Sequence, residues 1–377
     1  MLQLDDLPNL TSLQGIEDKL NGDGIREIEI GGCPKVADWS ALEGADFDRL
    51  VICGSYVFVP ESLKDRVDRT NGDDGWWTRD EDISFSISSA EELAALPEGA
   101  RQGVREIIIA GDMIVDSSKG ELEYHWEGNK EVLWYHDRET GKETKVKTGK
   151  GMDLSFLAGL PNLERLVLGQ QPMTDLEALR GLTGLKELYL KCNPKLKDIS
   201  AVSEMKDLES LELAYTAVTG LESIRGLGHL KELDLNGLKI TDLSPLAECD
   251  FTWSAENGGF NLSVDNNKIK DFSWMSRIPV YHWIGFGGIN PDLWLDAISG
   301  SRVLGFFDGN MNQEQLEKML EQHPELENLH IPNSQKVTDL TKVLSMPNLR
   351  YLKVSGNMKK ALQSIEGKEY RFELEIE

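Results

Sequence analysis

The chain holds little that would support a cross-linked frame or an assembled reaction centre. Its four cysteines, Cys33, Cys53, Cys192 and Cys249, lie far apart with no CxxC pair, a spacing that argues against both a zinc site and a disulfide framework. No run of about 18 apolar residues occurs, so no membrane-spanning helix is expected. The first residues, Met1-Leu2-Gln3-Leu4-Asp5-Asp6, contain neither a basic stretch nor an apolar segment, and the expectation is a cytoplasmic chain without a secretory signal. Hydrolase elbow, phosphate loop, HExxH and dinucleotide fingerprint are all missing. The expectation is therefore a protein that is not an enzyme and has no catalytic residues, metal or cofactor. Basic residues are the minority: 40 Lys and Arg stand against 65 Asp and Glu, a net charge of -25 over 377 residues. Such a balance repels nucleic acid and anionic membrane and favours a basic protein partner.

What the chain does have is a repeat. Leu163-Glu164-Arg165-Leu166-Val167-Leu168 returns with its leucines at 185, 188 and 190, at 208, 211 and 213, and at 230, 233 and 235. A second marker keeps the same step: Asp153, Asp175, Asp198, Gly220 and Asp242, each followed by Leu or Ile. Two markers in phase across residues 157–248 define a coil of 22 or 23 residues. Leu-x-Leu alternation puts both leucines on one side of a short strand. The Asp that follows accepts hydrogen bonds from amides two or three residues on, as a helix cap does. Leu179, Val202, Ile224 and Leu246 then close the coil from the opposite side. One coil buries too few side chains to offset the entropy of ordering its backbone, whereas stacked coils share a core and pair their strands into one parallel sheet.

At these residues the chain resembles the leucine-rich repeat family, in its 22-residue class, similar to internalin and phosphatase-regulator repeats. The resemblance is strong over 153–248. It continues in weaker copies at Phe260–Phe272, around Leu326–Leu340 and at Leu349–Asn357, with degenerate coils at Val280–Asn290 and Arg302–Asn310. It implies an α/β solenoid: a horseshoe with a parallel concave β-sheet and short 3-10, α or irregular segments on the convex side. Gln313–Gln322 reads as a true convex helix, with Leu316, Met319 and Leu320 at helical spacing, and Tyr370–Ile376 as the closing strand.

Three regions are expected: an irregular repeat-like part at 1–120, a β-hairpin insert at 121–150, and the main repeat domain with its closing strand at 151–377. In the first, Ile25–Leu42 and Val104–Ile109 read as outlying coils. In the insert, Tyr124-His125-Trp126 and Leu133-Trp134-Tyr135-His136 flank a turn and suggest aromatic cross-strand pairs, with a third strand after Glu139–Lys142. Residues 71–82 read as a loop, in which Trp76 and Trp77 serve either as a binding knob or as a cover for the core.

For functional residues the plain reading competes with the chemical one. His125 and His136 invite a metal only if the hairpin brings them together, and no third ligand is in view. Cys192 sits near where this repeat class uses Asn or Cys to hold its turn, so a structural use outweighs a reactive thiol. Lys142, Lys145, Lys147 and Lys150 read as a solvated strand face. The concave strip follows from the pleat, and its candidate partner-binding residues are Arg165, Tyr189, Glu212, Glu232, Asp234, Asn236, Asp265 and Trp283. The strip is acidic at its centre with aromatics toward its flanks. The resemblance implies a non-catalytic scaffold that binds a protein through this surface; the acid excess points to a basic partner, in its sharpest form to an intracellular inhibitor or immunity protein that neutralises a toxin. The alternatives are a bacterial surface or host-interaction protein of internalin type and, third, a metal-dependent enzyme built on the insert.

Overall fold

A computed structural model of the chain describes its residues apart from positions 6, 8, 9, 23, 32, 34, 35, 37, 54–58, 69–92, 94–100, 102, 103, 116–119, 128, 129, 266, 308, 309 and 333. The loop expected at 71–82, with Trp76 and Trp77, lies outside the described residues. Two compact units are present, Met1–Gln171 and Pro172–Glu377.

The first unit contains a parallel sheet of β1 (Leu2–Asp5), β2 (Glu27–Gly31), β3 (Arg49–Cys53) and β4 (Val67–Asp68). The coil expected at Ile25–Leu42 is real, and it has a neighbour that alternation did not show. In Arg49–Cys53 the apolar residues run on continuously instead of alternating, yet Ile28 stands beside Leu50 in register, one repeat length apart. Leu13, Ile28, Ile30, Trp39, Leu42 and Leu50 form the core beneath. Next come β5 (Glu106–Ala110), β6 (Met113–Ile114), the insert strands β7 (Gly120–Glu127), β8 (Lys130–Asp137) and β9 (Glu143–Lys145), and β10 (Arg165–Gly169). β5 and β10 pair in parallel, Ile107 beside Leu166 and Ile109 beside Leu168, so the outlying coil at Val104–Ile109 is also real.

The insert is a three-stranded antiparallel sheet, as its turns suggest; its aromatics do not stand directly opposite one another, but His125 of β7 meets Trp134 of β8 diagonally, with ring centroids 5.9 Å apart. Tyr124 faces Leu133, Glu123 faces Trp134, and Leu122 faces Tyr135. The register gathers Leu122, Tyr124, Leu133 and Tyr135 on one face and Glu121, Glu123, His125, Trp134 and His136 on the other. Leu122, Tyr124, Leu133 and Tyr135 pack on Ile108, Ala110, Val115 and Val146. The insert thereby covers outward positions of β5, and a side chain at Gly169 on β10 would strike Leu133.

The second unit is a ladder of parallel strands: β11 (Glu187–Tyr189), β12 (Ser210–Glu212), β13 (Glu232–Asp234), β14 (Phe260–Ser263), β15 (Val280–Gly285), β16 (Arg302–Val303), β17 (Gly305–Phe307), β18 (Asn328–Ile331), β19 (Tyr351–Val354) and β20 (Glu373–Ile376). The strands follow chain order, with β16 lying beside β15 off the main path. One row of side chains runs through the core, Leu188, Leu211, Leu233, Leu262, Ile284, Phe306, Leu329 and Leu352, and half-buried Leu374 ends it. The degenerate coils keep this row because Ile and Phe occupy the leucine place. Opposite it, Leu179, Val202, Ile224 and Leu246 are buried on short 3-10 segments, closing each coil as their spacing requires.

Two side-chain columns hold the coils. The Asp markers act as turn caps on the amide two residues on, at 2.9 Å for Asp153, 2.8 Å for Asp198 and Asp242, and 2.9 Å for Asp271. Asn193 holds the turn after β11, its Nδ2 donating to the Leu190 carbonyl at 2.8 Å. Cys192, one residue earlier, contributes a left-handed backbone at φ 63° and a buried side chain. None of Cys33, Cys192 and Cys249 is in a disulfide. The convex helix Gln313–Gln322 is present with Leu316, Met319 and Leu320 buried, and Asn312 and Gln315 form a capping box at its start. Among the described residues no helix is long and apolar enough to cross a membrane.

Candidate functional site

With the leucines turned into the core, alternate residues of the second unit's strands stand on the open face of the sheet. The register sorts them into rows. One row reads Glu187, Ser210, Glu232, Asn261 and Trp283; the next reads Tyr189, Glu212, Asp234, Ser263 and Gly285. Farther along, Phe307, His330 and Lys353 continue the second row, and Gly305, Asn328 and Tyr351 the first. Six of the eight strip residues read from the sequence, Tyr189, Glu212, Glu232, Asp234, Asn236 and Asp265, thus lie on or just beyond β11 to β14, with Trp283 on β15. Arg165 belongs to the first unit, on β10, where it is ion-paired with Glu106 of β5.

Charge is not spread evenly over this face. Glu212 and Asp234 are register neighbours, and adjacent strands lie roughly 4.8 Å apart. Ser210 Oγ donates to Glu232 at 3.3 Å, and among the described residues no cation forms an ion pair with Glu232. Toward β20 a cation joins the face: Lys353 Nζ lies 2.8 Å from Glu375 and 4.0 Å from Glu377. Between these ends is an aromatic group. His330 has its ring centroid 4.7 Å from Trp283 and 5.1 Å from Tyr351. Burial, and after it Lys353, pushes the His330 imidazole below its ordinary value, so it stands there as a neutral ring.

Two of the strip residues serve the fold. Asn236 Oδ1 accepts the Asp265 amide at 2.7 Å, and Asp265 in turn accepts the Gly287 amide, so each side chain fastens the next coil. Burial raises the Asp265 carboxyl to about 6, opposed by the Gly287 amide and aided by the charge of Asp234. It is less a surface charge than its place in the sequence implies.

A bulge shapes the middle of the face. Phe260 pairs with Tyr281 but Asn261 pairs with Trp283, which leaves His282 as the extra residue on β15. Beside it opens a cavity of about 300 Å³ lined by Glu232, Asp234, Asn261, Ser263, His282 and Trp283, with Leu233 at its base. The Trp283 indole lies over Gly305, where any side chain would collide with it. His282 and Gly305 were not legible as site residues, because the bulge changes the step between coils and leaves no periodic signal.

The other candidates resolve differently. His125 stands opposite Val132 and His136 opposite Glu121, so the two imidazoles are not cross-strand partners. His125 instead meets Glu123 at 2.9 Å, and among the described residues no group of three or more His, Cys, Asp or Glu is placed to hold a metal. Lys142, Lys145, Lys147 and Lys150 are exposed, with Lys145 paired to Glu127 at 2.5 Å.

Residues 161–204 match the family model described as leucine-rich repeats (two copies). No curated protein matches the chain. Among solved structures, an internalin (InlF) from Listeria monocytogenes is similar at 22% identity, covering 62% of this chain and 68% of its own, with a TM-score of 0.41. Internalin C2 of the same organism is similar at 22% identity over 54% of this chain and 77% of its own, TM-score 0.34. A leucine-rich repeat protein of Leptospira interrogans is similar at 13% identity over 100% and 83%, TM-score 0.37. Residues 161–204 thus carry the leucine-rich repeat signature, and the parallel ladder from β11 to β20 gives the second unit the fold of a leucine-rich repeat solenoid.

Proposed function

We propose that the chain is a non-catalytic binding scaffold that engages a basic protein through the acidic part of the open face of its second unit. One observation carries the reading: Glu212, Glu232 and Asp234 are gathered on adjacent strands of one rigid ladder. Carboxylates gathered on one face give it a negative field that steers a cationic partner toward it. A net charge of -25 would speed the encounter with a basic partner, and the neighbouring Trp283, His330 and Tyr351 offer aromatic area to hold it. The sharper form is a cytoplasmic inhibitor that occupies a basic partner's working surface, as an immunity protein does with a nuclease or another toxin.

The test is retention of partners from native lysate by the wild type and by the triple variant Glu212→Lys, Glu232→Lys, Asp234→Lys, with circular dichroism confirming that both are folded. A basic protein held by the wild type, released by a few hundred millimolar salt and ignored by the variant is the expected result. If the variant keeps every partner, the acidic face is not the binding surface.

A further inference from the structure

The cavity beside the β15 bulge has a chemistry narrower than "acidic", and we propose that it is a receptor for one arginine side chain of the basic partner. This rests on the reading of the open face given above and specifies where a single partner residue would seat. A guanidinium is a flat cation with several N–H donors that pairs in-plane with carboxylates and stacks on an aromatic ring. The cavity offers each element. Glu232 and Asp234 supply anionic oxygens on one strand, two residues apart and facing the same side. Trp283 supplies the aromatic wall, and its ring is held in advance by Gly305 beneath it and by His330, whose ring centroid lies 4.7 Å away in a T-shaped contact. Asn261, between Glu232 and Trp283 in the row, has an Oδ1 that accepts no hydrogen bond although it is shut off from water. Asn261 lines the cavity, so an amide reorientation that brings this oxygen to the lining would let a ligand N–H satisfy it.

Other ligand classes fit less well. An anion meets two carboxylates, and neither Lys nor Arg lines the cavity. A lysine ammonium is compact, strongly hydrated and without a flat face for Trp283, so it uses the carboxylates alone. The aromatic wall therefore reads as selection for arginine over lysine.

The experiment uses the full chain labelled with 5-fluorotryptophan and three nine-residue glycine–serine peptides that differ only at the centre: arginine, lysine or citrulline, the last a neutral isostere. Binding is followed by the fluorine resonance of Trp283, assigned by Trp283→Phe, and by the labelled side-chain carbon of the peptide. Saturable binding of the arginine peptide is expected, with about tenfold weaker binding of the lysine peptide and none of citrulline. Glu232→Gln and Trp283→Ala should each weaken the arginine peptide by about tenfold. Equal binding of the three peptides, no binding of any, or indifference to Trp283→Ala overturns the receptor. The pull-down separates this from the broader reading. If the peptides fail while the charge-reversed triple variant still loses a basic partner, the receptor falls and the acidic face stands. If arginine binds as expected while the triple variant keeps every partner, the cavity selects arginine but no partner docks there, and both the acidic face and the partner's seat in it fall.

Discussion

Asn193 crosses the turn that ends β11 and gives its side-chain N–H to the Leu190 carbonyl at 2.8 Å, from a fully buried position. Asn267 repeats the device later in the ladder, donating to Leu235 at 2.8 Å and to Val264 at 3.0 Å while its Oδ1 accepts the Ile240 amide. These amides satisfy backbone groups that the turn strips of their strand partners. Asn193→Ala leaves a buried carbonyl unpaired and should cost about 2 kcal/mol. Asn193→Leu fills the space without restoring the donor and should cost a similar amount. Urea unfolding with an unchanged m-value checks both; a loss much under 1 kcal/mol would mean that water or another donor replaces the amide.

The aspartate column makes the ladder sensitive to acid. Asp153, Asp198, Asp271 and Asp339 each have a carboxyl held below its ordinary value, first by the backbone amide two residues on and then by that residue's hydroxyl. A depressed folded value means that the contribution is complete above the unfolded value of about 4 and fades as pH falls through the folded value. Asp198→Asn keeps a cap oxygen but no charge. It should unfold at lower temperature than the wild type at pH 7, with the gap closing toward pH 2. Calorimetry across that range is the check, and a gap independent of pH would dissociate the charge from the cap.

Asp265 behaves in the opposite sense. Its folded value, raised by burial to about 6, lies above the unfolded one. Stability at this site is therefore full below about pH 4 and is lost as pH rises through about 6. Asp265→Asn retains an oxygen for the Gly287 amide and removes the buried charge. The variant should be more stable than the wild type by about 3 kcal/mol at pH 8 and equal to it at pH 4. Denaturant midpoints at the two pH values decide this; equal midpoints at pH 8 would show a carboxylate that the solvent reaches freely.

How far the amino-acid order revealed this architecture depends on what each coil asks of its residues. Leu188, Leu211 and Leu233 announce their strands because burial on one side imposes period two, and Asp175, Asp198 and Asp242 announce the turn because few side chains can cap it. The rows of the open face followed from the same alternation, which is why Tyr189, Glu212, Glu232 and Asp234 were legible. Asn236 and Asp265 were legible as positions but not as coil fasteners, since a hydrogen bond to the next coil leaves no mark on spacing. The cavity escaped notice because it depends on one extra residue, His282, and on the missing side chain of Gly305. In the insert, alternation gave the strands, but pairing turns on a register set at the closing pair Glu127 and Lys130, and that register put leucines and glutamates opposite the aromatics.

The same register makes a prediction about the insert. Leu133 is fully buried among Ala110, Val115 and Val146, and its tip fills the place where a side chain at Gly169 would stand. A charge there has no partner within the cluster. Leu133→Asp should detach the apolar face of β7 and β8 from β5 while β5 and β10 keep their mutual pairing, because Ile107, Ile109, Leu166 and Leu168 point into a different core. Hydrogen exchange resolved by residue should show amides of Gly120–Asp137 losing protection by at least about tenfold, with those of Arg165–Gly169 little changed. Equal loss along β10 would mean that the insert and the coil fold as one cooperative piece, and that the outward residues of β5 depend on their cover for stability.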